Sequence, residues 1–127
     1  MDGVTYDTGA LIAADHNDRR TWALHAGFLA EETVPTVPTP VLAEEWRGGS
    51  RHASLARFLA FCELEPLTGV QAKAVGVLAG RAHHGDIVDV TVVEGAIRRR
   101  DAVVTSNPTH IEKIARAADA RLVNESV

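Results

Sequence analysis

The segment Gly3-Val4-Thr5-Tyr6-Asp7-Thr8-Gly9-Ala10-Leu11-Ile12 changes its character at Asp7. The four residues before Asp7 are β-prone, whereas Asp7 and Thr8 can cap a helix that continues into the small and apolar residues after them. The segment therefore predicts a strand, an acidic side chain at its end, and then a helix. A strand that runs directly into a helix is typical of α/β proteins, in which the strands form a parallel sheet.

The same alternation of strand and helix repeats along the rest of the chain. A short strand is predicted at residues 34–37, and Pro40 suits the first turn of a following helix that stops at Gly48-Gly49. The sequence indicates an α/β protein with three α/β/α layers around a central, mainly parallel sheet. No linker or repeat interrupts the pattern, so one domain is expected over residues 1–127. Further helices are predicted at residues 18–31, 54–62, 68–81, 86–100 and from 108 onward, and further strands at 64–67, 102–105 and 122–123.

Composition narrows the class of protein. A net charge of −4 gives no support to a protein that coats nucleic acid through bulk charge. It does not exclude a nuclease, because carboxylates that bind metal themselves add negative charge. Cys62 is the only cysteine, which excludes an intrachain disulfide and agrees with a reducing compartment. The sequence has neither a long apolar run nor an N-terminal secretion signal, so we expect a soluble, cytoplasmic protein.

Four acidic residues stand where predicted strands give way to helices or where helices begin: Asp7, Glu44, Asp86 and Asp89. The carboxyl ends of parallel strands are where α/β proteins build their sites. Carboxylates that converge in one cleft repel each other unless a cation lies between them, and oxygen ligands suit Mg²⁺ or Mn²⁺. The arrangement predicts metal-assisted phosphodiester chemistry. Without metal, repulsion should raise the pKa of at least one of these acids.

Each acid also has a simpler interpretation. Asp7, Asp86 and Asp89 lie in or before the first turn of a helix, where an anion is favoured by about 0.3–1 kcal/mol. One acid in such a position is more typical of a helix cap than of a metal ligand, and only the group of four favours a metal site. Glu44 and Glu45 point about 100° apart on a helix, so at most one of them is expected to face the site.

Four segments, taken in order, resemble the PIN-domain family. They are VTYDTGAL at 4–11, PTPVLAEEWRGG at 38–49, DIVDV at 86–90 and AVVTSNP at 102–108. Their order and spacing match the family along nearly the whole chain, and they are most similar to VapC-type toxins of bacterial toxin–antitoxin pairs. The resemblance implies a PIN-like domain that acts as a ribonuclease dependent on Mg²⁺ or Mn²⁺. It also implies a homodimer that is silenced by a VapB-like antitoxin.

The resemblance further implies roles for individual residues. It assigns the metal to Asp7, Glu44 and Asp89, with Asp86 as a close auxiliary. The family usually has an acid where this chain has Asn107. The amide oxygen of Asn107 can still bind a hard cation but brings no charge, so weaker metal binding or a one-metal site is expected.

Neighbouring residues complete the predicted site. Thr105 and Ser106 can position a ligand or an attacking water by hydrogen bonding. Arg47 and Arg51 follow the second acid and are candidates for contact with RNA. His84, in a loop before the third acid, is expected to be solvated, although it can also support the site from outside.

Three alternatives remain open. The first is a degenerate PIN-like module that binds antitoxin or RNA without cutting, because Asn107 replaces an acid. The second is a metal-dependent phosphohydrolase that acts on small molecules. The third starts from Asp7-Thr8-Gly9, which matches the Asp-Thr-Gly motif of retroviral-type aspartic proteases, but those proteins are almost all β and this chain is mostly helical in pattern.

Overall fold

The computed structural model describes residues 3–127, and its centre is one sheet of five parallel strands. The strand order across the sheet is β3-β2-β1-β4-β5, so β1 lies in the middle. The predicted α/β class is therefore confirmed, and the sheet is parallel throughout the described residues. Residues 1 and 2 of the predicted domain lie outside this range. The strands are β1 (Gly3–Tyr6), β2 (Thr36–Pro38), β3 (Glu63–Glu65), β4 (Asp101–Thr105) and β5 (Asn124–Ser126).

Helices cover both faces of the sheet, as the three-layer prediction requires. The first four helices pack among themselves, and so do the last three. The first group belongs to crossovers that run from β1 to β3, and the second group to crossovers that run back from β3 to β5, so right-handed connections put the two groups on opposite faces. The helices are α1 (Thr8–Asp15), α2 (Arg19–Ala30), α3 (Thr39–Glu45), α4 (Ala53–Leu59), α5 (Gly69–Ala82), α6 (Ile87–Arg99) and α7 (Pro108–Ala117). Within residues 3–127, none of these helices is both long and apolar enough to cross a membrane.

Predicted helix starts agree with the structure because their caps are local. Asp7, Asp18, Thr68 and Asp86 each precede a helix, and each side chain accepts a hydrogen bond from a backbone N–H in the first turn. These side chains satisfy donors that a helix cannot satisfy within itself. Local chemistry therefore set the starts of α1, α2, α5 and α6.

Several predicted boundaries were wrong: β2 begins two residues later than predicted, β3 ends two residues earlier and α4 ends three residues earlier, and the end of α3 and the start of β5 also differ. Helix α3 ends at Glu45, before the glycines at 48 and 49, because Trp46 is extended and its ring stacks on His52 at a centroid distance of 4.9 Å. The backbone N–H of Arg47 also donates to Nε2 of His52, at 2.9 Å, and this bond fixes the turn. The last strand begins at Asn124 and not at residue 122, because its position follows from pairing with β4.

The core contains one polar pair that sequence did not predict. The hydroxyl of Tyr6 lies 2.8 Å from Nδ1 of His25, and both residues are buried. The ring of His25 stacks on Phe58 at a centroid distance of 4.0 Å. Burial lowers the pKa of His25, so the neutral imidazole is favoured inside the core.

The fold brings several helix starts to one edge of the sheet. Because all strands are parallel, their carboxyl ends lie at the same edge, and α1, α3 and α7 begin there. Helix α6 leads into the start of β4, so it runs antiparallel to the strands and also begins at this edge. Asp7, Asp89 and the loop after β4 therefore approach each other from distant parts of the chain.

Candidate metal centre

Asp7 is the most buried of the predicted site acids, with 7% of its surface exposed. Its Oδ1 accepts a hydrogen bond from the backbone N–H of Ala10 at 3.1 Å, and Thr105 also bonds to its carboxylate. Burial is the first cause that raises the pKa of Asp7 to about 6, and the nearby charge of Asp89 raises it further. The hydrogen bonds from Thr105 and Ala10 act in the opposite direction. The predicted raised pKa is present, but burial causes it more than repulsion does.

Glu44 and Glu45 belong to different groups of side chains. Oε1 of Glu44 accepts a hydrogen bond from the hydroxyl of Thr8 at 2.7 Å, next to Asp7 in the chain. Glu45 instead lies beside Asp15, which together with burial raises the pKa of Glu45. Of the two acids, Glu44 is the one that is hydrogen-bonded to the residue after Asp7.

Asp86 and Asp89 also separate in their contacts. Oδ1 of Asp86 accepts hydrogen bonds from the N–H groups of Val88 at 3.0 Å and Asp89 at 3.2 Å, so Asp86 caps α6. Oδ2 of Asp89 lies 3.2 Å from Nε2 of His84 and 3.7 Å from Nδ1 of His110. The carboxylate of Asp89 therefore faces two imidazoles, while that of Asp86 serves the end of its own helix.

The loop after β4 is held by hydrogen bonds within it. Oγ1 of Thr105 accepts from the N–H of Asn107 at 2.8 Å, and Thr105 is fully buried. The side chain of Asn107 caps α7, and its Nδ2 lies 2.9 Å from Nδ1 of His110. Ser106 lies directly against Gly9, where a Cβ atom would come within 2.1 Å of its Oγ. The loop after β4 and the start of α1 are thus in close contact.

Arg47 and Arg51 line a cavity of about 370 Å³ whose wall also includes both Glu44 and Glu45, with Asp15, His16 and His52. Nη1 of Arg47 donates to the carbonyl oxygens of Ala43 at 3.0 Å and Trp46 at 2.8 Å, at the end of α3. Its guanidinium is therefore partly used by the protein itself. Arg51 is exposed on the wall of the same cavity.

The sequence predictions do not include His110, and they leave His84 as either a solvated residue or one that supports the site from outside. The two are 26 positions apart, and neither belongs to the acidic pattern that was followed. A signal was nevertheless present for His110. It follows the cap residue Asn107 by three positions, which brings it to the same side of the first turn of α7.

Comparison with known proteins supports the fold. No protein-family model and no curated protein matches the chain. A chain in the crystal structure of VapBC2 from Rickettsia felis bound to a DNA fragment from their promoter matches with a TM-score of 0.73 and 18% identity, over 98% of each chain. A chain in a toxin–antitoxin complex from Klebsiella pneumoniae matches with a TM-score of 0.62 and 17% identity, over 85% of this chain and 89% of that chain. At these identities the likeness concerns the fold, and the chain therefore has the PIN-like α/β fold found in VapBC toxin–antitoxin complexes.

Proposed function

We propose that this chain is a metal-dependent endoribonuclease and the toxin of a VapBC-like pair. The observation that carries the proposal is the buried carboxylate of Asp7 beside Asp89 and Thr105, at the carboxyl edge of a PIN-like sheet. In this proposal Asp7, Glu44 and Asp89 bind Mg²⁺ or Mn²⁺.

The three carboxylates are of the right chemical type for such an ion, but among the described residues their ligand atoms do not all lie within 4.8 Å of one another, so the ion would draw them together. Asp7 and Asp89 offer carboxylate oxygens close enough for their charges to interact, and hard divalent cations favour such ligands. A bound cation would polarise the scissile phosphate and lower the pKa of an attacking water. The N–H of Ala10 and the hydroxyl of Thr105 hold the carboxylate of Asp7 in one orientation.

Other residues take supporting roles in the proposal. Thr8 orients Glu44 through its hydrogen bond, and Asp86 keeps the start of α6 in position as an auxiliary acid. Ser106 positions the attacking water. Asn107 can offer its amide oxygen once that oxygen leaves the N–H of His110, which lies 3.4 Å away.

Phosphodiester chemistry is further supported by the helix ends at this edge. Helices α1, α6 and α7 all begin there, and the electropositive starts of helices favour phosphate groups. Arg47 and Arg51 line the cavity beside Glu44 and are the proposed contacts for the RNA strand.

We further propose that residues 1–127 form one PIN-like domain and that the protein is a cytoplasmic homodimer. The homodimer pairs with a VapB-like antitoxin. The complexes that share the fold are toxin–antitoxin assemblies, and this supports the antitoxin as partner.

A non-catalytic binding module is the second candidate. Asn107 favours it, because its oxygen accepts from His110 N–H and its nitrogen faces the imidazole of His110. Residue 107 therefore brings no carboxylate to the site, and its amide is already engaged with His110. Such a module would bind antitoxin or RNA in the same cleft without cutting.

The deciding experiment is incubation of the purified chain with total bacterial RNA in Mn²⁺, Mg²⁺ or EDTA. We expect discrete fragments that are lost in EDTA and in Asp7→Ala. The matched control is Asp18→Ala, which removes a helix cap of the same type at the far end of α1. Circular dichroism checks that both variants fold. Absence of cleavage, with metal binding retained, would favour the binding module.

A further inference from the structure

Three side chains from three helices meet at one point of the candidate centre. His84 follows α5, Asp89 lies in the first turn of α6, and His110 lies in the first turn of α7. One ligand atom of each lies within 4.8 Å of those of the other two. The imidazole rings of His84 and His110 meet edge to face, with centroids 5.3 Å apart and an interplanar angle of 70°.

The backbone positions His84, and the side chain of Asn107 positions His110. Helix α5 ends in a left-handed turn at His83, with φ of 50°, and the N–H of His84 then donates to the carbonyl of Ala79 at 3.2 Å. This turn directs the chain from the end of α5 to the start of α6. Nδ2 of Asn107, 2.9 Å from Nδ1 of His110, holds the second ring.

A simple ion pair does not require this arrangement. One protonated histidine would satisfy the Oδ2 of Asp89, yet nitrogens of both His84 and His110 face that same oxygen, at 3.2 and 3.7 Å. A cation between them would accept all three groups at once. Solvent can reach the point of convergence, because the side chain of Asp89 is 26% exposed and that of His110 is 50% exposed.

The chemistry of these ligands selects a class of metal. Imidazole nitrogen suits Zn²⁺, Co²⁺ and Ni²⁺, whereas Mg²⁺ takes oxygen ligands and retains several waters. We propose that His84, Asp89 and His110 form a metal centre that selects a transition ion of the zinc and cobalt class over Mg²⁺. Asp89 also belongs to the proposed Mg²⁺ or Mn²⁺ site, so this inference rests on the proposed function and adds a nitrogen-rich ion position beside that site, with Asp89 shared between the two. When the ion binds, Nδ1 of His110 gives up its contact with the side-chain amide of Asn107 and binds the metal instead.

Cobalt absorption tests the assignment without an activity assay. Tag-free protein is titrated with Co²⁺, whose visible bands report nitrogen and oxygen ligation, and Zn²⁺ and Mg²⁺ then compete for it. We expect Zn²⁺ to remove the bands and excess Mg²⁺ to leave them. His84→Gln and His110→Gln should each weaken Co²⁺ binding by roughly 10-fold or more. His110 is half exposed, so its variant should fold even if the other does not.

His83→Asn is the matched control, since His83 is exposed, lies outside the cluster, and has a left-handed backbone that asparagine also adopts. It should bind Co²⁺ like the parent. Unchanged binding in His110→Gln, or displacement of Co²⁺ by equimolar Mg²⁺, would overturn the inference. RNA cleavage measured in parallel separates the two proposals. Cobalt binding without cleavage contradicts only the ribonuclease, and cleavage that is lost in Asp7→Ala, with Co²⁺ binding unchanged in both glutamine variants, contradicts only the histidine centre.

Discussion

The hydroxyl of Thr8 donates a hydrogen bond to Oε1 of Glu44 across 2.7 Å. This bond joins the first turn of α1 to the last turn of α3 beside Asp7, which caps α1. Glu45, the next residue, turns to Asp15 instead. The two successive acids therefore have different partners, although both line the cavity that contains Arg47 and Arg51.

Glu44→Gln and Glu45→Gln should consequently differ in metal binding. Glutamine at position 44 can still accept from Thr8 but has lost its charge, so calorimetric Mn²⁺ affinity and RNA cleavage should both fall. Glutamine at position 45 should leave both unchanged. It should also raise the melting temperature, because burial and Asp15 already disfavour the charge of Glu45. Loss of Mn²⁺ binding only in the Glu45 variant would contradict the assignment.

Asp7→Asn should stabilise the protein in EDTA at pH 7. The pKa of Asp7 is raised to about 6, so the folded state holds a proton more tightly than the unfolded state does. The charged carboxylate therefore costs stability above pH 6, on the order of 3 kcal/mol. Asparagine removes this cost and still caps α1. Denaturant unfolding should show the gain above pH 6, and the gain should vanish towards pH 4.

Asp18→Asn is the control with the opposite sign. Hydrogen bonds from Thr21 lower the pKa of the exposed Asp18, so its charged form favours folding. The asparagine variant should therefore be slightly less stable at pH 7. If Asp7→Asn and Asp18→Asn changed the stability in the same direction, burial would not be the cause of the raised pKa of Asp7.

Gly9→Ala should disturb the candidate centre through packing alone. The added Cβ would lie 2.1 Å from Oγ and 2.6 Å from Cβ of Ser106, so the loop after β4 must move. We expect a loss of about 1–3 kcal/mol in unfolding free energy, together with weaker Mn²⁺ binding. Ser106→Gly should restore part of both. Gly27→Ala has open space around it and should be neutral or stabilising, as a helix interior favours alanine.

Asn107→Asp should tighten Mn²⁺ binding. The substitution adds a negative charge near Asp89 and His110 and keeps a good cap for α7. Calorimetric titration of parent and variant gives the comparison directly. Equal affinities would mean that residue 107 does not contribute to the metal, and the predicted weakness of the native site would then be wrong.

The features of the fold that could be predicted from the sequence are those that depend on residues close together in the chain. Asp7, Thr68 and Asp86 cap helices within three positions of themselves, so each helix start is visible in the chain. The burial of β4 is equally local, because its apolar residues follow one another. The position of β5 depends on its pairing with β4, and this contact between separate segments was misjudged by two residues.

The residues of the candidate site fall into the same two classes, those that local sequence predicts and those that depend on packing between distant segments. Asp7 and Asp89 were predicted because strand ends and helix starts mark them. The approach of His110 to Asp89 was not, because it depends on how α6 and α7 pack. The different orientations of Glu44 and Glu45 also follow from partners on other helices, Thr8 and Asp15.

The central position of β1 has a consequence for protein synthesis. Its partner β4 is made last but one among the strands, and the bond between Thr5 and Asp101 spans 96 positions. A growing chain on the ribosome therefore holds Asp7 long before Thr105 exists to bind it. Translation of most of the chain must precede the formation of the acidic edge, so in the proposed ribonuclease an incomplete nascent polypeptide lacks the centre that would act on RNA.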